Sequence, residues 1–508
     1  MADGAARGRA TSEEFFDAVE AEAVVAGAAG PAVDDDDVFS DAVTGGGVDE
    51  AAPAACAAAP PPTRRTVRHE VPTGPSRFAK RMPFDLPMRY KNPVVLSSGT
   101  YGVVVSAVDT LDDDTAVAIK KISQPWGTDG AAHGLGVDSA EAKRHAELAY
   151  REIKVLKFLK ESWRESCLAS GLPEDEIEDQ HPNLVAMRDC YVAETPDSKG
   201  ESAPAVDVYL VLEHCGIAAD DFCARERLTL AVVKDLAFQI LQALQYMHSA
   251  DIIHRDLKPQ NMAILASSDH PPELDISILD FGLSRHLKSA SAMWTDMDVV
   301  TREYRAPEVH FKVGGEVRDY GPAIDMWAFG IILAELLQSC SDKPGQWTMF
   351  QTRAGGNYLN VFSNIVRAMG VPPGEFCEAL DEKSQAWLHK SFGDSTTQHL
   401  RDFLREPLGK IPFFATKEGQ SDLDQAIDLI DSILKYDPKA RLTAEEALTH
   451  PFFRDYWPGG QWDPGAWGKI KSSVKLEMEG GDFDADEWKE KVLAEVADFS
   501  ARWGVNST

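Results

Sequence analysis

The spacing of apolar residues changes period along the chain. Val94-Val95-Leu96, Val103-Val104-Val105 and Thr115-Ala116-Val117-Ala118-Ile119 are short β-rich runs. A Gly-rich turn separates the first two, and Asp112-Asp113-Asp114 separates the last two, which predicts consecutive strands joined by tight turns. A helical pattern covers roughly 139–163, and two more strand-like runs follow at 185–192 and 206–213. Beyond Phe222 the 3.6-residue period dominates, over 230–249, 323–337, 360–369 and 423–434. The pattern predicts an α+β protein of two lobes, a small β-rich one with one helix and a larger α-helical one. A cleft between two such units is the natural place for a ligand.

Residues 1–83 are rich in Ala, Gly, Asp and Pro, with the acidic run Asp34 to Asp37 and the block Pro60-Pro61-Pro62. So few large apolar side chains cannot offset the entropy of ordering, and the segment is expected to be a disordered acidic tail. Arg64, Arg65 and Arg68 make a small basic island in it. The polar stretches 124–138 and 162–180 interrupt the first lobe and are expected to be surface insertions.

Composition narrows the partners. The net charge of −31 argues against nucleic acid or an anionic membrane surface, and suits either basic protein segments or solubility alone. The seven cysteines are scattered without a C-x-x-C pair, which fits a reducing compartment and not a zinc site. No basic region leads into an apolar run at the N-terminus, so no signal peptide is expected. The longest apolar stretch, 323–337, contains Asp325 and Glu335 and reads as a buried helix. The expected location is cytoplasmic, nuclear or both.

The chemistry concentrates in one segment. His254-Arg255-Asp256-Leu257-Lys258-Pro259-Gln260-Asn261 holds a candidate general base (Asp256), a lysine able to neutralise phosphate (Lys258) and an amide oxygen suited to magnesium (Asn261). Asp280-Phe281-Gly282 follows and supplies a carboxylate, the second hard oxygen ligand. Upstream, Ser97-Ser98-Gly99-Thr100-Tyr101-Gly102-Val103-Val104 is a turn whose glycines let backbone N–H groups approach phosphates. Lys120 ends the run Val117-Ala118-Ile119-Lys120, where its cation could clamp phosphates and needs a carboxylate partner. On the following helix Leu148, Glu152, Leu156 and Leu159 fall on one face, and a carboxylate inside an apolar stripe calls for an opposite charge. Glu152 is therefore paired with Lys120, with Glu147 as the alternative. Glu308 is paired with Arg441, and Asp325 is assigned to accept backbone N–H bonds from the loop around Asp256, or else to cap its helix.

In this order the residues resemble a eukaryotic protein kinase, and within that group a mitogen-activated protein kinase. The closer likeness rests on Arg89-Tyr90-Lys91-Asn92, V-A-I-K-K-I at 117–122, R-E-I-K at 151–154, D-F-G-L-S-R at 280–285, V-T-R-E-Y-R-A-P-E at 300–308 and His450-Pro451-Phe452-Phe453. The resemblance implies a bilobal kinase domain over 84–456, divided near 214/215. It also implies a C-terminal extension over 457–508 that packs back on the small lobe through the stripe Trp488, Val492, Val496, Phe499 and Trp503, with the family's insert at about 377–418. It implies ATP with magnesium, protein serine or threonine acceptors, and roles in catalysis for Asp256, Lys258, Lys120, Glu152 and Thr301. It places Leu96, Ser97, Gly99, Gly102, Val104, Ala118, Lys120, Glu213 and Cys215 around the nucleotide, Leu212 at the gatekeeper position, and Asn261 and Asp280 on the metal.

Three departures from the family pattern stand out. Ser97 replaces the first glycine of the turn. Arg305 matches the arginine associated with proline after the acceptor, but Glu303 stands where the family usually has tryptophan. The family's T-x-Y phosphorylation pair falls on Asp296-Met297-Asp298, while the arginines that receive phosphate are matched by Arg151, Arg255, Arg285, Arg302 and Arg305. Asp296 and Asp298 are read as partial stand-ins for phosphates. Shifting the alignment by one residue instead makes Thr295 a single site for an upstream kinase, and a third reading is a solvated acidic loop. The alternative to an enzyme is a pseudokinase scaffold, against which stands the presence of Lys120, Glu152, Asp256, Asn261 and Asp280 together.

Overall fold

The computed structural model describes residues 66–73, 81–99, 102–123, 139–195, 205–266, 273–287, 302–310, 321–345, 348–350, 358–378, 380, 382–393, 399–456, 476 and 483–503. Its small lobe begins earlier than the composition suggested. Strand β1 (Thr66–Pro72) lies inside the stretch expected to be disordered and forms an antiparallel hairpin with β2 (Arg81–Pro87), which begins at the end of that stretch. Val71, Phe84 and Leu86 of this hairpin are buried with Val105, Val117, Ile119, Tyr209 and Val211 of the main sheet. The local sequence carries too few apolar residues to order itself; the sheet face it covers supplies the missing burial. Arg68 and Asp85 add an ion pair of 3.0 Å across the hairpin.

The main sheet contains β3 (Tyr90–Gly99), β4 (Gly102–Asp109), β5 (Thr115–Ile122), β6 (Met187–Thr195) and β7 (Ala205–Glu213) in the antiparallel order β3-β4-β5-β7-β6. The aspartate turn between β4 and β5 takes Asp113 and Asp114 to φ of 47° and 56°, a region aspartate tolerates. Helix α1 (Ser139–Ala169) packs beside this sheet. It runs past the expected end near 163 into the segment read as a surface insertion, because Trp163 and Cys167 are buried there. The Trp163 ring meets Tyr246 edge-on at 5.6 Å, so the extra turns reach the large lobe.

The large lobe contains short strands β8 (Ile217–Ala218), β9 (Ile252–Ile253), β10 (Met262–Ala266), β11 (Leu274–Ile278) and β12 (Arg285–His286). Its helices are α2 (Ala219–Arg225), α3 (Leu230–Ser249), α4 (Pro307–His310), α5 (Ala323–Gln338), α6 (Tyr358–Met369), α7 (Gly374–Glu378), α8 (Glu382–Phe392), α9 (Leu400–Leu408), α10 (Lys417–Ile433) and α11 (Ala444–Leu448). Helix α5 is apolar nearly all round and buried accordingly, with Trp327, Phe329 and Leu333 fully enclosed. Helix α10 starts six residues before its apolar stripe does, because the Thr416 side chain accepts a hydrogen bond from Gly419 N and caps it. Arg441 and Glu308 meet in two parallel bonds of 2.7 Å each, tying α4 to the segment before α11.

Helix α12 (Ala485–Trp503) returns to the small lobe and lies against α1 and β6. Trp488, Val492, Val496 and Phe499 are buried, Trp488 stands 5.2 Å from the Tyr150 ring, and Lys157 pairs with Glu495 and Asp498. No helix among the described residues is long and apolar enough to cross a membrane.

Candidate active site

Strand register builds one wall of the cleft. Ser97, Val104 and Lys120 are directly opposed across β3, β4 and β5, and Ala118 lies two residues before Lys120 on the same face. Ala118 is opposed to Leu212 on β7, one residue before Glu213 ends that strand. Gly102 is at φ 148°, and a Cβ there would sit 2.2 Å from the carbonyl oxygen of Lys121, so no other residue fits this turn. Glu213 ends β7, and Cys215 lies on the connection from β7 to β8. Gly216 completes that connection at φ 92°, where a Cβ would fall 2.1 Å from the Ile264 carbonyl oxygen. The sequence reading passed over Gly216, although a glycine after a strand and before a turn to a new lobe is the available signal.

Lys120 Nζ reaches Glu152 Oε1 and Oε2 at 2.8 Å each and Asp280 Oδ1 at 3.1 Å. The fallback partner Glu147 is instead paired with Arg151, one helical turn on. Lys120 and Glu152 are buried, whereas the Asp280 side chain keeps 38% exposure and faces the cleft. Burial alone would lower the Lys120 pKa, but Asp280 and Glu152 outweigh it and raise it. Burial alone would raise the Asp280 carboxyl, but Lys120 and His254 hold it below the usual carboxylate range. At neutral pH the cleft thus presents an ammonium and an ionised carboxylate side by side.

The second wall is the loop after β9. Lys258 Nζ donates to Asp256 Oδ2 at 2.8 Å, and Asn261 Nδ2 donates to both the carbonyl and Oδ2 of Asp256 at 2.8 Å. With its nitrogen so committed, Asn261 has its oxygen left as the donor atom for a cation. The loop is held from below by Asp325 on α5, which accepts from His254 N at 2.8 Å and Arg255 N at 2.9 Å and contacts His248 Nε2 at 3.0 Å. This is the anchoring role expected for Asp325; the cap position of its helix is taken by Pro322. Burial would raise the Asp325 carboxyl, but bonds to His248 and the charge of His248 and His254 bring it below the ordinary value. Arg255 and Asp280 both sit at positive φ, 73° and 59°, a cost that the surrounding bonds must hold in place.

The two walls close on a common cavity lined by Lys120, Glu152, Asp256, Asp280, Gly282, Leu283, Ile122 and, from α1, His145, Leu148 and Ala149. Asn183 also joins the lobes: its Nδ2 donates to the Ile276 carbonyl at 3.0 Å and its own carbonyl accepts from Ile278 N at 2.9 Å. The sequence reading missed it, and the polar His181-Pro182-Asn183 between a helix and a strand was the clue. Thr301, Thr295, Asp296 and Asp298 lie outside the described residues.

The donor set fits a magnesium nucleotide. Among the described residues no group of three acidic, cysteine or histidine side chains could hold a metal by itself. Magnesium does not need one, since it binds through one or two protein oxygens with phosphates and water as the remaining ligands. Asp280 and Asn261 are such oxygens, the Lys120 ammonium is a point charge for phosphate, and Gly102 leaves the backbone bare where phosphates would pass.

A family model described as a protein kinase domain matches residues 90–453. Mitogen-activated protein kinase 13 of Homo sapiens is 31% identical over 418 residues, covering 82% of this chain and 91% of the relative. The Mus musculus protein of the same name is likewise 31% identical over 418 residues, with the same coverage. Mitogen-activated protein kinase HOG1B of Wallemia ichthyophaga is 27% identical over 416 residues, covering 82% of this chain and 89% of the relative. With a lysine, two carboxylates and a loop aspartate gathered in the cleft between a β-rich and a helical lobe, the chain belongs to the protein kinases and, within them, to the mitogen-activated protein kinases: it is an ATP-dependent protein serine/threonine kinase that uses magnesium.

Proposed function

We propose that phosphoryl transfer to a serine or threonine hydroxyl runs through Asp256, with the other named residues in supporting roles. Asp256 orients the acceptor hydroxyl and receives its proton, a contribution typically of about 10² to 10⁴ in rate. Lys258, already 2.8 Å from Asp256, offsets the negative charge of the phosphoryl group as it passes. Lys120 clamps the inner phosphates while Glu152 keeps its ammonium aimed into the cleft. Asp280 and Asn261 hold magnesium, which supplies charge neutralisation at the phosphates when bound. Leu96, Ser97, Gly99, Gly102, Val104, Ala118, Glu213 and Cys215 enclose the nucleotide. The observation that carries this reading is the placement of Lys120 Nζ within hydrogen-bond distance of both Glu152 and Asp280, from helix and loop respectively.

Three finer assignments rest on the resemblance. Arg305 gives a preference for proline after the acceptor. Asp296 and Asp298 stand in part for activation-loop phosphates and confer basal activity, with Thr295 as the alternative target of an upstream kinase, and Thr301 helps select serine and threonine. The kinase works in the cytoplasm or nucleus. Purified full-length protein from bacteria, given radiolabelled ATP and a degenerate peptide library, tests the whole set. Wild type should label peptides and Asp256→Asn should not; equal labelling by both would remove Asp256 from the chemistry. Loss of labelling in Asp296→Ala/Asp298→Ala supports the carboxylate stand-ins, and unchanged labelling refutes them.

A further inference from the structure

Lys121 follows Lys120 on β5, and successive side chains of a strand take opposite faces. While Lys120 reaches the cleft, the Lys121 ammonium is buried, 2.8 Å from Asp207 Oδ2 and donating to the Pro83 carbonyl at 2.6 Å. It also stands 5.7 Å from the centres of the Phe84 and Tyr209 rings. Asp207 and Tyr209 belong to β7, the neighbour of β5, whereas Pro83 and Phe84 belong to β2 of the hairpin. The hairpin is fixed to the same sheet, since Asp85 N donates to the Tyr209 hydroxyl at 3.0 Å.

Two parts that would meet the nucleotide depend on this residue. A roll or slip of β5 that moves Lys121 also moves Lys120, its neighbour in the chain. Gly102, in the Gly-rich turn, lies against the backbone of Lys121, so close that a Cβ would fall 2.2 Å from the Lys121 carbonyl oxygen. The hairpin thus grips the side chain of Lys121, and the backbone of Lys121 sets where the turn can sit. A buried ion pair contributes little net stability over apolar side chains of similar volume. Its ammonium nevertheless has one place in the interior where its charge is compensated, and that fixes position.

We propose that Lys121 is a positioning residue through which the N-terminal hairpin sets Lys120 and the Gly-rich turn for the nucleotide, an inference that rests on the reading of Lys120 and this turn as the holders of the phosphates. The hairpin then belongs to the nucleotide-binding unit, although none of its described residues lines the cavity of Lys120 and Asp280.

The test compares the full-length wild type with Lys121→Met, which keeps the aliphatic stem and removes the ammonium. Calorimetry measures affinity for magnesium-ADP, and initial rates are taken over ranges of ATP and of peptide. Lys121→Met should weaken ADP binding and raise KM for ATP about five- to twentyfold, with KM for peptide changed by less than about twofold. A residue that served stability alone would lower the folded fraction and leave ADP affinity and KM for ATP as in wild type, and that result overturns the proposal. If Lys121→Met does not fold, Phe84→Leu decides, because it removes the ring from the hairpin side of the ammonium only. It should raise KM for ATP about threefold, and an unchanged KM overturns the proposal. Lys120→Met separates this inference from the reading beneath it. ADP binding as tight as wild type in Lys120→Met removes Lys120 from the phosphates and the proposal with it. Weakened binding in Lys120→Met beside unchanged binding in Lys121→Met overturns the role of Lys121 alone.

Discussion

The two walls of the cleft are built in different ways. The loop carrying Asp256, Lys258 and Asn261 makes most of its internal bonds within five residues of sequence, and rests on α5, a largely buried helix. The opposite wall brings Lys120 to Glu152 across 32 residues and to Asp280 across 160. Glu152 belongs to α1, which lies near the outside of the small lobe and is held from the side by α12 and from its far end by α3. One wall is thus preorganised by a rigid interior. The position of the other depends on how a helix docks, which makes it the place where activity can be tuned.

Removing the interior support should give the largest effect. In Asp325→Ala two backbone N–H groups and His248 lose their acceptor in a buried site. The loop shift should lower kcat by about 10²-fold or more, and stability by about 3 kcal/mol. Single-turnover kinetics and urea denaturation read the two losses. If kcat fell no more than in a surface mutant, the buried anchor would not be what places the loop.

A smaller effect is expected on the other wall. Glu152→Gln keeps the shape but removes the counter-charge from Lys120, and should cost about ten- to a hundredfold in kcat/KM for ATP. Initial rates over a range of ATP concentration check it. A loss equal to that of Asp325→Ala would erase the distinction between the walls.

The buried carboxyl of Glu335 on α5 makes a pH prediction. Burial pushes the Glu335 carboxyl up to about 7, against partial opposition from its bonds to Tyr304 and Met349. Between its unfolded value near 4.5 and about 7, the folded state binds the extra proton. Its favourable contribution is therefore full at acid pH and is lost as pH rises through 7. Relative to Glu335→Gln, wild type should lose on the order of 1–3 kcal/mol between pH 5 and pH 8. Chemical denaturation at both pH values measures the difference, and parallel behaviour of the two proteins would show that Glu335 does not titrate in this range.

The gentlest perturbation acts on the docking of α1. Glu495→Lys breaks the pairs to Lys154 and Lys157, both only partly exposed, and should cost about 1 kcal/mol, recovered in part by Lys157→Glu in the same chain. Melting temperatures of the two single variants and the double variant report the coupling.

Much of the site was legible because its chemistry is packed into short segments. Asp256, Lys258 and Asn261 announce themselves by spacing, and Glu152 by being a charge within an apolar stripe. The anchoring by Asp325 also followed from a charge inside an apolar helix, which requires partners. The strand β1 was not legible, because Val71 alone is a weak pattern until Phe84, Leu86 and the sheet below them complete a core. Nor was the length of α1, since Trp163 in a polar context reads as surface until Tyr246 covers it. The role of Asn183 was hidden for a similar reason: its partners at Ile276 and Ile278 are more than ninety residues away.

By itself the sequence determined the kinase family, the order of the two lobes and the helices whose periodicity is strong, and it named the groups proposed for the chemistry. These depend on residue type and on spacings within a few turns, where the geometry of helix and strand leaves little choice. Tertiary structure decided that Glu147 pairs with Arg151, how far α1 and the first hairpin extend, and that Tyr304 and Arg305 share a cavity with Asp256. Those outcomes turn on burial and charge pairing between distant segments, whose free energy exists only once both sides have come together.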